Sequence, residues 1–205
     1  MTIQDLQQII AILAKRRKAF WSEADFQFEL AQEIKTMFPA AQIRLERPFP
    51  NSAGKRNYID IVVGLNGELF PIELKYKTKE ATITDFSGES ISLQNHSATD
   101  FGCYDYLKDI SRLEGQKNKP NFKRGFALML TNDPAYCNDT QRVSAYDDFK
   151  IYSGATKGGL LNWGLTSKGA QFVCNGRVPF SLSGTYTMQW KDYNPYFRYL
   201  INEVH

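Results

Sequence analysis

The sequence predicts an α/β fold whose elements follow one another in the order helix, helix, three strands, helix, strand. Three observations support this order. Apolar residues recur at helical spacing before residue 39 and again from Thr99 to Gly115. Residues 57–79 are predicted to form a β-hairpin around Asn66-Gly67, the dipeptide that a two-residue type I′ turn prefers. The stretch from Gly125 to Thr131 is an unbroken apolar run, as expected for a strand covered on both faces.

Two helices are predicted before the strands. The first extends from Thr2, its N-cap, to Phe20 and contains a basic run at residues 15–18. This run has two explanations: the cations complement the negative end of the helix dipole, or they bind phosphate groups. The second helix begins at Ser22, with Asp25 three residues later in a capping-box arrangement.

The connections around the hairpin supply further candidates. Residues 42–49 alternate polar and apolar side chains and form the first predicted strand. A loop follows, in which Lys55 and Arg56 lie at the mouth of the expected site and could contact a nucleic-acid backbone, although loop cations are usually solvated. After the hairpin, the polar residues 80–98 are predicted to form a flap over the site.

The hairpin brings two carboxylates together. Because the two-residue turn fixes the register, Leu65 faces Glu68 and Asp60 falls opposite Glu73. The second pair is a non-hydrogen-bonded one, in which the Cβ atoms lie about 4.5 to 5.5 Å apart. Like charges placed so close together require a cation.

A lysine completes the set on the same face of the hairpin. Lys75 lies one pleat beyond Glu73. Mg²⁺ takes one or two carboxylates and fills its other positions with water and phosphate oxygens, so Asp60 and Glu73 suit this ion. The lysine could orient or deprotonate an attacking water, or stabilise charge that develops on a phosphate. An E-x-K motif is also common on solvated strands, but the register match with Asp60 distinguishes this hairpin.

In these residues the sequence resembles the PD-(D/E)XK nuclease superfamily, which has an aspartate on the second core strand and E-x-K on the third. Asp60, Glu73 and Lys75 match those positions. Ile59 stands where the motif has proline, and the resemblance covers about residues 22–131. It implies a restriction endonuclease-like αβββαβ core with a mixed central sheet, here preceded by an N-terminal helix. It also implies a phosphodiesterase that depends on Mg²⁺ or Mn²⁺ and cleaves DNA, expected to be double-stranded.

Members of that family often add a glutamate from the first core helix. The resemblance favours Glu23 over Glu29, because Glu23 is followed by the apolar residues Phe26 and Leu30 at plus three and plus seven. Glu23 would then hold a metal-bound water or a second ion. Acidic residues in a first helical turn also favour the helix dipole without any catalytic role.

The resemblance also implies a basic residue on the second core helix that faces the catalytic strands. Lys108 and Arg112 are the candidates. The alternative is that both form ion pairs along the helix with Asp105 and Asp109.

The composition excludes several other classes of protein. With only two histidines, the chain cannot be a histidine-rich zinc hydrolase, and carboxylates must carry any metal. The phosphate loop of NTPases, the nucleophile elbow of esterases and the C-x-x-C pair are absent from the sequence. Three cysteines without pairable spacing, and no apolar run that would serve as a signal or membrane span, predict a cytoplasmic location. The net charge of +3 permits a nucleic-acid partner without requiring one.

A turn at residues 132–134 marks the predicted division of the chain. Residues 1–134 would contain the nuclease-like core with its N-terminal helix, and residues 135–205 a β-rich extension packed on the same domain. Short strand candidates in this extension are Ile151-Tyr152, Gln171–Cys174 and Tyr186–Trp190. Its aromatic residues either fill a small core or stack on bases; they are Trp163, Tyr186, Trp190, Tyr193, Tyr196, Phe197 and Tyr199.

Two further functions are compatible with the sequence. One is a nucleic-acid-binding module on the same fold without turnover, and the other is a protein-interaction module whose acidic hairpin is solvated. The complete Asp60, Glu73 and Lys75 set favours the enzyme, since fold stability does not require two opposed carboxylates.

Overall fold

The computed structural model of the chain describes residues 1–50, 56–96, 98–165 and 176–205. The helices are α1 (Ile3–Arg16), α2 (Glu23–Met37), α3 (Thr99–Glu114) and the short α4 (Pro134–Cys137), with a 3-10 turn at Asp147–Phe149. The strands are β1 (Gln42–Pro50), β2 (Arg56–Leu65), β3 (Glu68–Lys77), β4 (Ala81–Thr84), β5 (Ser90–Leu93), β6 (Gly125–Thr131), β7 (Thr156–Leu161), β8 (Phe180–Thr187), β9 (Lys191–Asp192) and β10 (Arg198–Val204). None of the described helices is long and apolar enough to cross a membrane.

A mixed sheet forms the centre of the fold. Its order in the described part of the chain is β1-β2-β3-β6-β10-β9, in which β3 and β6 are parallel and the other neighbours are antiparallel. The β4–β5 and β7–β8 pairs form separate two-stranded sheets. The predicted α/β class with a mixed central sheet is therefore confirmed.

The hairpin turn has the predicted geometry. Asn66 and Gly67 have φ angles of 53° and 79°, as a type I′ turn requires. Leu65 pairs with Glu68 as predicted, and the predicted register continues from there to Ile61 and Ile72. The parallel ladder between β3 and β6 starts just after Pro71, so the missing N–H of this proline removes no ladder hydrogen bond.

Helices and strands cover the central sheet on both faces. On one face, α1 and α2 pack against residues that include Leu74 and Leu128. On the other face, α3 and the β7–β8 hairpin pack against residues that include Ala127. Since side chains alternate along a strand, Glu73 and Lys75 belong to the face covered by α3.

The helix starts follow the predicted caps with one difference. Thr2 and Asp5 form a reciprocal capping box at α1. At α2, the Ser22 hydroxyl accepts the N–H of Asp25 at 3.1 Å. The Asp25 carboxylate accepts the N–H of Trp21 at 2.9 Å instead of that of Ser22, so the reciprocal half of this cap is displaced by one residue.

The arginines of the basic run connect the first two helices. Arg16 contacts the buried Glu33 at 2.9 Å. Arg17 contacts Asp25 and Glu29, each at 2.7 Å. These ion pairs hold α1 against α2, a role that neither explanation of the basic run included.

The C-terminal part of the chain differs from the sequence prediction. β10 pairs with β6 inside the central sheet and was not predicted as a strand. A strand at Ile151-Tyr152 was wrong, and the candidate at residues 186–190 overlaps β8 only at its first two residues. The candidate at Gln171–Cys174 lies outside the described residues. Among the aromatic residues, all but the exposed Tyr196 are buried, which confirms their role in the core: Trp163, Tyr186, Trp190, Tyr193, Phe197 and Tyr199.

Candidate active site

The candidate site lies where β2 and β3 separate. The described ladder between them ends at Ile61 and Ile72, one pair before the predicted pairing of Asp60 with Glu73. Beyond this point β2 continues to pair with β1. Gln27 of α2 donates to the backbone carbonyl of Asp60 at 2.6 Å and so fixes β2 at the start of this gap. We refer to the opening between the two strands as the strand gap.

Three side chains accept hydrogen bonds from the backbone amides of β3 that face the strand gap. The Asp60 carboxylate accepts the N–H of Leu74 at 2.5 Å, and the Glu23 carboxylate accepts the N–H of Tyr76 at 2.7 Å. At the next alternate residue, the Thr78 N–H donates to His96 Nδ1 at 3.1 Å. In a β-strand every second residue directs its amide to the same side. These side chains therefore accept the hydrogen bonds that β2 would accept if its ladder with β3 continued. Their hydrogen bonds place Asp60 and Glu23 along one edge of β3.

Glu73 is enclosed between β3 and α3. The residue is 1% exposed, and its Oε1 lies 2.9 Å from Arg112 Nη2 in an ion pair. Its Oε2 is buried and has no hydrogen-bond partner among the described residues. Burial raises the pKa of Glu73 strongly and the nearby Asp109 adds to this, while Arg112 opposes it. Because Arg112 also donates to the carbonyl oxygen of Tyr58, its guanidinium bridges the two strands across the gap.

Lys75 pairs with an aspartate of α3. Its Nζ lies 2.6 Å from Asp109 Oδ2 and donates to the carbonyl oxygen of Leu74 at 2.8 Å. Asp109 Oδ1 in turn accepts from Arg112 at 3.0 Å. Burial lowers the pKa of Lys75, but the carboxylates of Asp109, Glu23 and Asp60 outweigh burial and raise it overall. Lys75 is therefore a protonated ammonium at neutral pH.

The sequence reasoning did not select Asp109 as a site residue. It named Asp109 only as an ion-pair partner along the helix, and Asp109 does form an ion pair with Arg112, three residues further along α3. The overlooked signal was its position on the apolar stripe of α3, three residues after Tyr106 and four before Leu113, both fully buried. A carboxylate on a buried stripe needs a partner, which here is Lys75.

Of the other predicted site residues, Glu23 lies at the site and Lys108 does not. Glu29 pairs with Arg17, whereas Glu23 reaches the strand gap. Lys108 lies with its Nζ 4.5 Å from the centre of the Phe180 ring, directed to β8 and not to the site. Lys55 lies outside the described residues. Arg56 opens β2, but its side chain is also outside the described part.

Carboxylates outnumber cations in the site. Among the side chains that the structure describes, the four carboxylates Asp60, Glu73, Glu23 and Asp109 are accompanied by two cations, Lys75 and Arg112. Burial raises the pKa of Asp60 to about 6, even though Lys75 and the Leu74 amide oppose this shift. Within the described part of the chain the site therefore has more carboxylates than cations, an imbalance that a bound cation would reduce.

The oxygen donors fit a hard divalent metal ion. Asp60 and Glu23 use one carboxylate oxygen each for a backbone amide, and Glu73 Oε2 is without a described partner. In their present positions, the described residues contain no cluster of three or more His, Cys, Asp or Glu side chains that could surround an ion. Two carboxylates with additional water ligands are sufficient for Mg²⁺. Asp60 and Glu73 would hold the ion directly, with Glu23 beside it.

Comparison of the chain with protein-family models, with curated proteins and with solved structures finds no match. The function is therefore inferred from the residues of the site.

Proposed function

We propose that the protein is a metal-dependent phosphodiesterase that cleaves DNA on a restriction endonuclease-like fold, as in the PD-(D/E)XK nucleases. The observation that carries this proposal is the proximity of Asp60, Glu73 and Lys75 beside the strand gap, with more carboxylates than cations among the described residues around them. The order α2, β1, β2, β3, α3, β6 supports it, because the family's core has the same order of helices and strands.

Each residue has a distinct role in this proposal. Asp60 and Glu73 hold Mg²⁺ or Mn²⁺, and Glu23 holds a metal-bound water or a second ion. A bound ion of this kind lowers the pKa of a water molecule and polarises the phosphorus-oxygen bond. The carboxylates around Lys75 raise its pKa, which favours a role in orienting the water or stabilising the charge on the phosphate over a role as the base.

The charge balance favours an enzyme over a module that only binds nucleic acid. Affinity for DNA comes mainly from cations that neutralise phosphates. Here Arg112 and Lys75 are engaged by Glu73 and Asp109, and a carboxylate excess would repel a phosphate unless a metal ion is bound. The burial of Glu73 also disfavours a solvated acidic hairpin, which the protein-interaction alternative requires.

Cleavage assays with supercoiled, linear and single-stranded DNA test the proposal. We expect cleavage with Mg²⁺ or Mn²⁺ and none with EDTA, and DNA binding that weakens steeply with salt. Lys75→Ala should lower the cleavage rate by at least about 100-fold while DNA binding and metal affinity stay nearly unchanged. Glu73→Ala should lose both metal binding and cleavage.

A surface lysine provides the matched control. Lys123 contacts Glu68 at 3.0 Å with about half of its side chain exposed, so Lys123→Ala should cleave like the wild type. Because Lys75 is buried against Asp109, the cleavage assay is repeated with Lys75→Met, which keeps the apolar stem, and urea denaturation shows whether both Lys75 variants are folded under the assay conditions. Cleavage that survives EDTA would reject the metal, and equal rates for Lys75→Ala and Lys123→Ala would reject the proposed role of Lys75.

A further inference from the structure

A pocket opens beside the strand gap, between the start of α2, the end of β3 and the β4–β5 hairpin. Its volume is about 300 Å³, at the lower end of the range for small-ligand sites. Glu23 lines this pocket, and its carboxylate also accepts the backbone N–H of Tyr76 at the strand gap. An occupant of the pocket would therefore lie next to Glu23, which is proposed to hold a metal-bound water or a second ion.

The rim of the pocket carries an exposed tryptophan on a fixed backbone. Trp21 is 52% exposed, and its backbone N–H donates to the Asp25 carboxylate at 2.9 Å. The same carboxylate is held by Arg17 at 2.7 Å. An indole presented on an anchored backbone is a stacking surface that loses little freedom when a planar ligand binds.

Other residues that line the pocket supply hydrogen-bond donors. His96 Nδ1 accepts the N–H of Thr78, so in the neutral ring the proton is on Nε2. Burial and the nearby Lys77 lower the pKa of His96, which keeps the ring neutral at neutral pH. Lys77 and Gln94 line the same pocket, so an ammonium and an amide lie next to the imidazole. Base edges and phosphates offer the acceptors that these groups require.

We propose that this pocket receives one unpaired nucleotide of the DNA substrate, with its base stacked on Trp21 and its edge bound by His96 and Gln94. This inference rests on the proposed function and specifies the class of substrate. In a paired duplex the faces of the bases are covered by their neighbours, so a base must leave the stack before it can contact Trp21. The substrate is thus DNA that carries an unpaired nucleotide at the cleavage point, such as a single-stranded overhang.

Intrinsic fluorescence can report on this contact directly. The chain has three tryptophans, and Trp163 and Trp190 are buried. In the slowly cleaving variant Lys75→Ala with Mg²⁺, a short single-stranded DNA should quench the emission of Trp21. The same sequence as a blunt, fully paired duplex should quench much less, and a duplex with a single-stranded overhang should restore the quenching. Trp21→Phe should remove the signal and identify its source.

Affinity measurements with a labelled single-stranded DNA complete the test. Loss of one stacking contact should weaken binding by Trp21→Ala about five- to 150-fold. Phe28 is the matched control, because it is also 52% exposed and lies on α2 outside the pocket, so Phe28→Ala should bind like the wild type. Trp21→Phe retains an aromatic ring and should keep most of the affinity.

The outcomes separate this inference from the proposed function. Equal affinities for Trp21→Ala and Phe28→Ala, or equal quenching by the duplex, would overturn the inference even if the protein cleaves DNA. Quenching by single-stranded DNA that depends on Trp21 would support the pocket even if no DNA is cleaved with any metal, a result that would reject the proposed function alone.

Discussion

The ammonium of Lys75 lies 2.6 Å from the carboxylate of Asp109, and this ion pair joins the middle of β3 to α3. Both side chains are largely buried, and Asp109 also binds Arg112. Removing one partner of a buried pair leaves the other charge without compensation. The contact therefore couples the stability of the fold to the charge of the candidate site.

We expect Asp109→Asn to lower the free energy of unfolding by about 1 to 3 kcal/mol, since Lys75 and Arg112 would both lose a carboxylate partner. Urea denaturation measures this change. The matched control on the same helix is Asp105→Asn, because Asp105 pairs with Arg177 near the surface, where an ion pair contributes at most about 1 kcal/mol. Equal losses in the two variants would mean that the Lys75–Asp109 contact does not contribute specially to stability.

Asp60→Asn should stabilise the metal-free protein in a manner that depends on pH. The pKa of Asp60 is raised from 3.8 to about 6, so between these values the unfolded chain releases its proton first and rising pH disfavours the folded state. The favourable contribution of Asp60 to the free energy of unfolding is fully present below pH 3.8 and is lost as the pH rises through about 6. Asparagine removes the charge and can still accept the Leu74 N–H. In EDTA the advantage of the variant over wild type in the free energy of unfolding should be small near pH 4 and grow to roughly 1 to 3 kcal/mol by about pH 7.

The same variant should respond weakly to metal. Ligand binding stabilises wild type by mass action, by about 2.7 kcal/mol at a metal concentration one hundred times the Kd. Thermal melting with increasing Mn²⁺ should show this gain in wild type and in the control Glu68→Gln, whose carboxylate lies at the surface beside Lys123. If Asp60→Asn gained as much from Mn²⁺ as these two proteins, Asp60 would not be a metal ligand.

Arg17→Ala should destabilise the fold by about 2 kcal/mol without changing the salt dependence of DNA binding. The Arg17 guanidinium contacts Asp25, Glu29 and Asp85, so it holds α1 to α2 and is already neutralised. Lys15→Ala is the control, because Lys15 is exposed at the end of the same helix. Binding of labelled DNA at several salt concentrations provides the second measurement. A shallower salt dependence in Arg17→Ala than in wild type would instead indicate that Arg17 contacts phosphate.

The local elements of the fold were accessible from the sequence. The hairpin register followed from Asn66-Gly67, because a two-residue turn leaves only one pairing for the strands that it joins. The cap at Ser22 and the buried strand β6 also followed from neighbouring residues. The unpredicted strand β10 contains the buried Asn202, which interrupts its apolar pattern and accepts from the Tyr106 hydroxyl at 2.8 Å. Because Tyr106 lies 96 residues earlier in the chain, the residues around Asn202 do not indicate this contact.

The sequence by itself determined that Asp60, Glu73 and Lys75 share one face of a hairpin, because the turn and the alternation of side chains are properties of adjacent residues. Only the tertiary structure decided what surrounds them. The separation of β2 from β3 depends on the pairing of β2 with β1 and turns Asp60 onto the Leu74 amide. The approach of Asp109 to Lys75 depends on the packing of α3 against the sheet. Burial and charge arise from such contacts between distant segments, and they raise the pKa of both Asp60 and Lys75.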